Sequence, residues 1–144
     1  MPTNNEFRIA VLPGDGIGVE VTEACQAVLA AVQKRVGGFA LICESFDAGA
    51  NCYQARGTDR PNETYRASEA ADAILLGAMG LPDVRKTDGT EINPQLDLRF
   101  QLELYAGVRP IKSMKGVPSA LADPRAADID MVIIREQTEG LFID

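Results

Sequence analysis

Short apolar runs, each cut off by glycine or proline, constrain the fold of this chain more than any other feature of it. FRIAVL (Phe7 to Leu12) stops at Pro13-Gly14, and AILL (Ala73 to Leu76) stops at Gly77. A run that is apolar throughout, as AILL is and as FRIAVL is from Ile9 onward, suits a strand covered on both faces, as parallel strands are when helices flank them. Between these runs the period changes. From about Val19 to Val36, Val21, Cys25, Val28, Val32 and Val36 recur at helical steps, and Gly37-Gly38 supplies a stop. The spacing predicts a helix that lays this stripe on a sheet.

The same reading continues along the chain. FALICESF (Phe39 to Phe46) is a second strand, and Asp59-Arg60-Pro61 opens a helix running through Ala71. Gly77 to Glu91 is a long polar loop, a kind of segment that in a compact domain often carries function. Asn93-Pro94 caps a helix continuing from Gln95 to Tyr105, with Leu98, Leu102 and Tyr105 on one face and Ala106-Gly107 at its end. Val108 to Ile111 and Met131 to Ile134 are strands separated by a proline-containing loop with a short helix around Ser119 to Leu121. Alternating strands and helices predict an α/β layer architecture with a largely parallel sheet.

Composition narrows the function classes. The 144 residues are 46% hydrophobic and 24% charged, the balance of a chain that buries a core. A formal charge of -7 disfavours nucleic acid as a partner, although a few arginines inside a cleft still suit a small anion. Cys25, Cys43 and Cys52 form no C-x-x-C pair and are expected as reduced thiols in or near the core. The start MPTNNEF has no basic segment followed by an apolar run, and no apolar stretch has the length of a membrane span, so the expectation is a cytoplasmic protein without membrane contact. The chain has no histidine, which removes Ser-His and Cys-His nucleophilic pairs and H-E-x-x-H metal sites together.

Two constellations remain. Gly14-Asp15-Gly16-Ile17-Gly18 lies between the first strand and a helix, where glycines allow a tight turn and close approach of an anion. A dinucleotide fingerprint G-x-G-x-x-G would need its third glycine at position 19, which is Val19, so the motif reads as a structural turn and not as a Rossmann site. Arg99, Arg109 and Arg135 are the second set, on a helix, in the strand VRPI and at the end of MVII. Guanidinium groups are planar, permanently charged and bidentate, so three of them gathered together would cage a carboxylate. Taken singly, each reads first as a surface or ion-paired residue, and spacing alone does not establish the cage.

Four stretches then carry a resemblance: IAVLPGDGIGVEV (Ile9 to Val21), ILLGAMGLP (Ile74 to Pro82), LDLRFQLELYAGVRP (Leu96 to Pro110) and IIREQTEG (Ile133 to Gly140). In this order they resemble the isocitrate, isopropylmalate and tartrate dehydrogenases, the family of β-decarboxylating 2-hydroxyacid dehydrogenases. The resemblance covers nearly the whole chain after residue 6. It implies an isopropylmalate-dehydrogenase-like layered α/β sheet with flanking helices, not a Rossmann fold, and incomplete in this chain. It divides the sequence into residues 1–99, the N-terminal part of a first α/β domain, and residues 100–144, the start of a second.

The resemblance also implies roles. Arg99, Arg109 and Arg135 match the arginines that grip the malate moiety of the substrate, and Asn93, Gln95 and Leu96 fall where the family reads its variable substituent. Gly77 and Glu91 bound a loop that matches a segment beside the nicotinamide of NAD or NADP. A divalent Mg or Mn ion polarises the substrate hydroxyl in this family. The catalytic lysine and the metal-binding aspartates lie beyond residue 144, so no catalytic or metal residue is assigned within this chain. The position of the family's proton-transferring tyrosine is taken by Phe142, which has no ionisable proton. The expectation is the N-terminal part of a metal- and NAD(P)-dependent dehydrogenase of a 2-hydroxy dicarboxylate, homodimeric at full length and inactive as this piece alone. The competing expectation is a truncated, non-catalytic anion-binding or partner-association module.

Overall fold

A computed structural model describes residues 5–139 and divides the chain into two compact units, Met1–Leu98 and Arg99–Asp144. The first unit is built around β1 (Glu6–Leu12), which pairs in parallel with β2 (Ala40–Ser45) on one side and β3 (Ala73–Leu76) on the other, in the order β2-β1-β3. Ile9 faces Cys43 across one ladder and Ala73 across the other, so the apolar run of β1 lies at the centre of the sheet. Its second half, Ala10, Val11 and Leu12, is fully buried, as an unbroken apolar run requires.

Parallel pairing needs crossovers, and helices supply them. Helix α1 (Ile17–Val36) joins β1 to β2, while α2 (Ala50–Arg56) and α3 (Asn62–Ala70) join β2 to β3. Pro61 immediately precedes α3, in keeping with the expected helix start. The expected valine stripe of α1 does not lie on the sheet: Val21, Val28, Val32 and Val36 are all exposed, Val36 at 68%. Gly18 and Thr22 are the buried positions, with Cys25, Gln26, Leu29 and Gln33 partly covered behind them. Close contact explains the choice. A Cβ at Gly18 would lie 2.5 Å from Ala78 O, and one at Gly77 would lie 2.8 Å from Thr22 Oγ1, so the start of α1 meets the exit of β3 where only the smallest groups fit. At the other end, Leu41 N–H donates to Gln33 Oε1 at 2.6 Å and ties the helix to β2.

Beyond β3 the chain forms a tongue. Lys86 N–H donates to Thr90 O and Gly89 N–H to Lys86 O, closing a tight turn, while Arg85 and Glu91 face each other in a single antiparallel bridge. Val84 and Ile92 pack with Ala50 beneath this turn, flanked by Tyr53 and Leu81. The stretch expected as a loop is therefore held by an apolar cluster of its own. Helix α4 (Pro94–Gln101) follows, shorter than expected, and Glu103, at φ 52°, takes the left-handed conformation that ends it.

In the second unit β4 (Ala106–Lys112) and β5 (Asp130–Glu136) form an antiparallel ribbon. Parallel pairing is thus confined to the first unit, and Ala106-Gly107, expected as a helix stop, opens β4. The short helix expected around Ser119 to Leu121 is instead a 3-10 turn at Pro124–Asp128, whose first N–H groups are capped by Asp123: its side chain accepts from Arg125 N. Cys52 is buried, Cys25 partly so and Cys43 exposed, all three with free thiols. Among the described residues no helix is long and apolar enough to cross a membrane.

Candidate functional site

The tongue of the first unit borders an open hollow of about 320 Å³ lined by Met79, Gly80, Leu81, Pro82, Arg85, Glu91, Ile92 and Asn93. Its chemistry is mixed. Met79, Leu81 and Pro82 give an apolar wall, whereas Glu91 and Asn93 bring a carboxylate and an amide. Such a combination suits a flat, partly polar ring. Glu91 is held by Arg85, whose Nη2 lies 3.2 Å from Glu91 Oε1. Asn93 Oδ1 accepts from Gln95 Nε2 at 3.3 Å, while Gln95 Oε1 is buried without a hydrogen-bond partner. Leu96 is exposed on α4. The structure thus brings Glu91, Asn93 and Gln95 into one neighbourhood. Gly77 is elsewhere, wedged against Pro13 O and Thr22 and absent from the lining of this hollow.

A second polar tie anchors the tongue. Lys86 Nζ lies 3.0 Å from Asp59 Oδ2, in the segment between α2 and α3. The Asp59 carboxylate holds the Lys86 ammonium above the ordinary lysine range. Gly49 N–H donates to Asp59 O at 2.7 Å, so the same segment also meets the start of α2.

The arginines belong to the second unit. Register places Gly107 opposite Arg135 and Arg109 opposite Ile133. Side chains alternate along a strand, so Gly107, Arg109, Ile133 and Arg135 share one face of the ribbon, with Arg109 and Arg135 as diagonal neighbours. The Gln137 amide leans over Gly107 on that face: a Cβ at Gly107 would lie 2.7 Å from Gln137 Nε2. Arg99 is joined to this end of the ribbon through the main chain. Leu104 N–H donates to Arg99 O at 2.8 Å, and Gln137 N–H donates to Tyr105 O at 3.0 Å. At the end of β5, Glu136 accepts from the Thr138 hydroxyl and N–H, which hold its carboxyl below the usual range. Phe142 lies outside the described residues.

Among the described residues no group of three or more histidine, cysteine, aspartate or glutamate side chains is gathered to hold a metal ion.

Fold and site together define an α/β protein in which a polar hollow follows a parallel strand, a glycine turn serves close packing, and two arginines share a ribbon face. The family profile described as isocitrate/isopropylmalate dehydrogenase matches residues 8–144. A 3-isopropylmalate dehydrogenase from Bifidobacterium longum is 46% identical over 136 residues, which cover 94% of this chain and 38% of that protein. A probable tartrate dehydrogenase/decarboxylase from Agrobacterium vitis is 38% identical over 137 residues, covering 95% and 38%. The crystal structure of isocitrate dehydrogenase from Methylococcus capsulatus superposes with a TM-score of 0.70 at 29% identity, covering 94% of this chain and 36% of that one. That of a Thermus thermophilus protein does so with a TM-score of 0.71 at 33% identity, covering 94% and 25%. The chain belongs to the isocitrate/isopropylmalate dehydrogenase family and spans 38% of the length of the first two relatives.

Proposed function

We propose that this chain forms the substrate-gripping and nicotinamide-facing part of an NAD(P)-dependent dehydrogenase acting on a malate-like 2-hydroxy acid such as 3-isopropylmalate, tartrate or isocitrate. The observation that carries the reading is the shared face of Arg109 and Arg135. Two guanidinium groups on one face, with the Gln137 amide beside Gly107 on that same face, offer paired N–H donors to a carboxylate. Arg99 adds a third donor set in this reading. Asn93, Gln95 and Leu96 read the substituent that differs between substrates, and the orphaned acceptor at Gln95 supports a polar partner there.

The hollow behind the tongue takes the nicotinamide half of NAD or NADP, with Glu91 and Asn93 as its polar contacts. When bound, that group accepts the hydride from the hydroxyl-bearing carbon. The residues of this chain orient and exclude: the arginines fix the carboxylates and hence the direction of the C–H bond, and Met79, Leu81 and Pro82 keep water from the ring face. In the same reading residues 1–99 and 100–144 belong to two domains of a cytoplasmic homodimer, and a Mg or Mn ion is bound by residues of the remaining part of the protein.

The test joins this chain to the remaining part of the 3-isopropylmalate dehydrogenase relative and follows NADH production with malate, tartrate, isopropylmalate and isocitrate in the presence of Mn. Turnover of at least one acid, abolished by Arg109→Ala, is expected. A soluble, folded fusion that binds malate but oxidises none of the four would favour a non-catalytic anion-binding module.

A further inference from the structure

Asp15 is 2% exposed, and the hydrogen bonds to its carboxylate come from main-chain N–H groups. Oδ2 accepts from Ala50 at 2.6 Å and from Gly80 at 2.8 Å, and Oδ1 accepts from Asn51 at 2.8 Å. Asp15 N–H in turn donates to Ala78 O at 2.8 Å. One residue in the turn between β1 and α1 therefore fastens the start of α2 to the chain leaving β3. A carboxylate this deep needs donors in place of water, and N–H dipoles at a helix start supply them.

The geometry points to Asp15 as a positioning residue that sets the Met79–Asn93 wall of the hollow by fixing Gly80, and through that wall sets the affinity for the nicotinamide dinucleotide. The dinucleotide half rests on the function proposed above; the positioning half rests on the hydrogen bonds alone. Gly80 lies three residues past Gly77, whose N–H donates to Leu12 O at the end of the β1–β3 ladder. The tongue beyond it has lost the sheet as a template, and Gly80 is the first of its lining residues whose main chain is caught again. Gly49 provides the room: a Cβ there would lie 2.2 Å from Asp15 Oδ2. A neutral isostere cannot do the same work. Asparagine offers one oxygen, and its NH2 group would have to face an N–H donor.

Amide hydrogen exchange, read residue by residue by NMR on the 144-residue chain and on Asp15→Asn, tests the positioning half. Loss of one charge-assisted bond predicts exchange faster by about ten-fold at Gly80–Val84 and at Ala50–Tyr53. Amides of β1 and β2 stay within about two-fold, since their ladders are untouched. Unchanged exchange at Gly80, or an equal rise at every amide, would overturn the assignment. If Asp15→Asn fails to fold, the unsubstituted chain still decides: a scalar coupling across the hydrogen bond between Gly80 15N and Asp15 13Cγ is expected, and its absence with Gly80 exchanging at the solvent rate overturns it. NADH and malate titrations then separate the two readings. Asp15→Asn should weaken NADH about ten-fold while malate affinity stays within about two-fold; equal NADH affinity in both proteins overturns the role in binding. If the unsubstituted chain binds no NADH, the dinucleotide reading fails, and the exchange result judges the positioning separately.

Discussion

Gly18→Ala sets helix propensity against close packing, and the structure determines which prevails. Alanine is favoured over glycine inside a helix by about 1 kcal/mol. The new Cβ, however, would lie 2.4 Å from Pro13 O, 2.5 Å from Ala78 O and 2.7 Å from Ala78 N, where ordinary contact begins at 3.4 Å. All three are main-chain atoms, so no rotamer change makes room, and the turn and the β3 exit must part by about 1 Å. That movement stretches the Asp15 N–H to Ala78 O bond beyond useful length. Overpacking strain of about 1–3 kcal/mol and a lost main-chain bond of about 1 kcal/mol outweigh the propensity gain, leaving a net loss of about 2 kcal/mol. For a chain of this size the melting temperature falls by about 8 °C. Thermal unfolding followed by circular dichroism reads it directly. A melting temperature that is unchanged or higher would refute the packing argument, because propensity alone predicts a rise.

Ile92→Ala removes three carbons from the cluster under the tongue and is expected to cost about 3 kcal/mol, against about 1 kcal/mol for Ile92→Val, measured by urea titration. Lys86 is held above the usual 10.5 by Asp59, so their mutual stabilisation is full below pH 10.5 and fades as pH climbs through the raised value of the folded state. Lys86→Met should therefore flatten the alkaline fall in melting temperature above about pH 10, and an identical fall in both proteins would discount the pair. Glu136 is held below the usual 4.5, so its contribution is present above that value and is lost as pH falls through the lowered one. Thr138→Val removes the hydroxyl donor, and an NMR titration should find the Glu136 carboxyl moved upward.

Local pattern reached the strands of the first unit because β3 and the second half of β1 are apolar at successive positions and are followed by glycine or proline. It did not reach α2. ANCYQAR has no apolar stripe, and the groups at its start are satisfied by Asp15, at a sequence separation of 35. The valine stripe of α1 misled for a related reason: bulk marks a face as apolar, but the contact with β3 selects Gly18 and Thr22 for their small size. The Asp123-Pro124 cap was available as a signal, whereas the end of α4 depends on the left-handed Glu103, which no composition rule anticipates. In the site, the arginines stand out as residues, but only strand register assigns Arg109 and Arg135 to one face. Asp15 was obscured by the glycines around it, although an acidic residue within a tight turn is itself a sign that main-chain donors converge there.

The claim that the ribbon face grips a dicarboxylate is tested most directly by titrating the isotopically labelled chain with malate and following the arginine Nε–Hε resonances. Arg109 and Arg135 should shift together along one saturation curve, while Arg125, paired with Asp123 at the 3-10 turn, stays still. Shifts spread evenly over all arginines, or absent from Arg109 and Arg135, would contradict it.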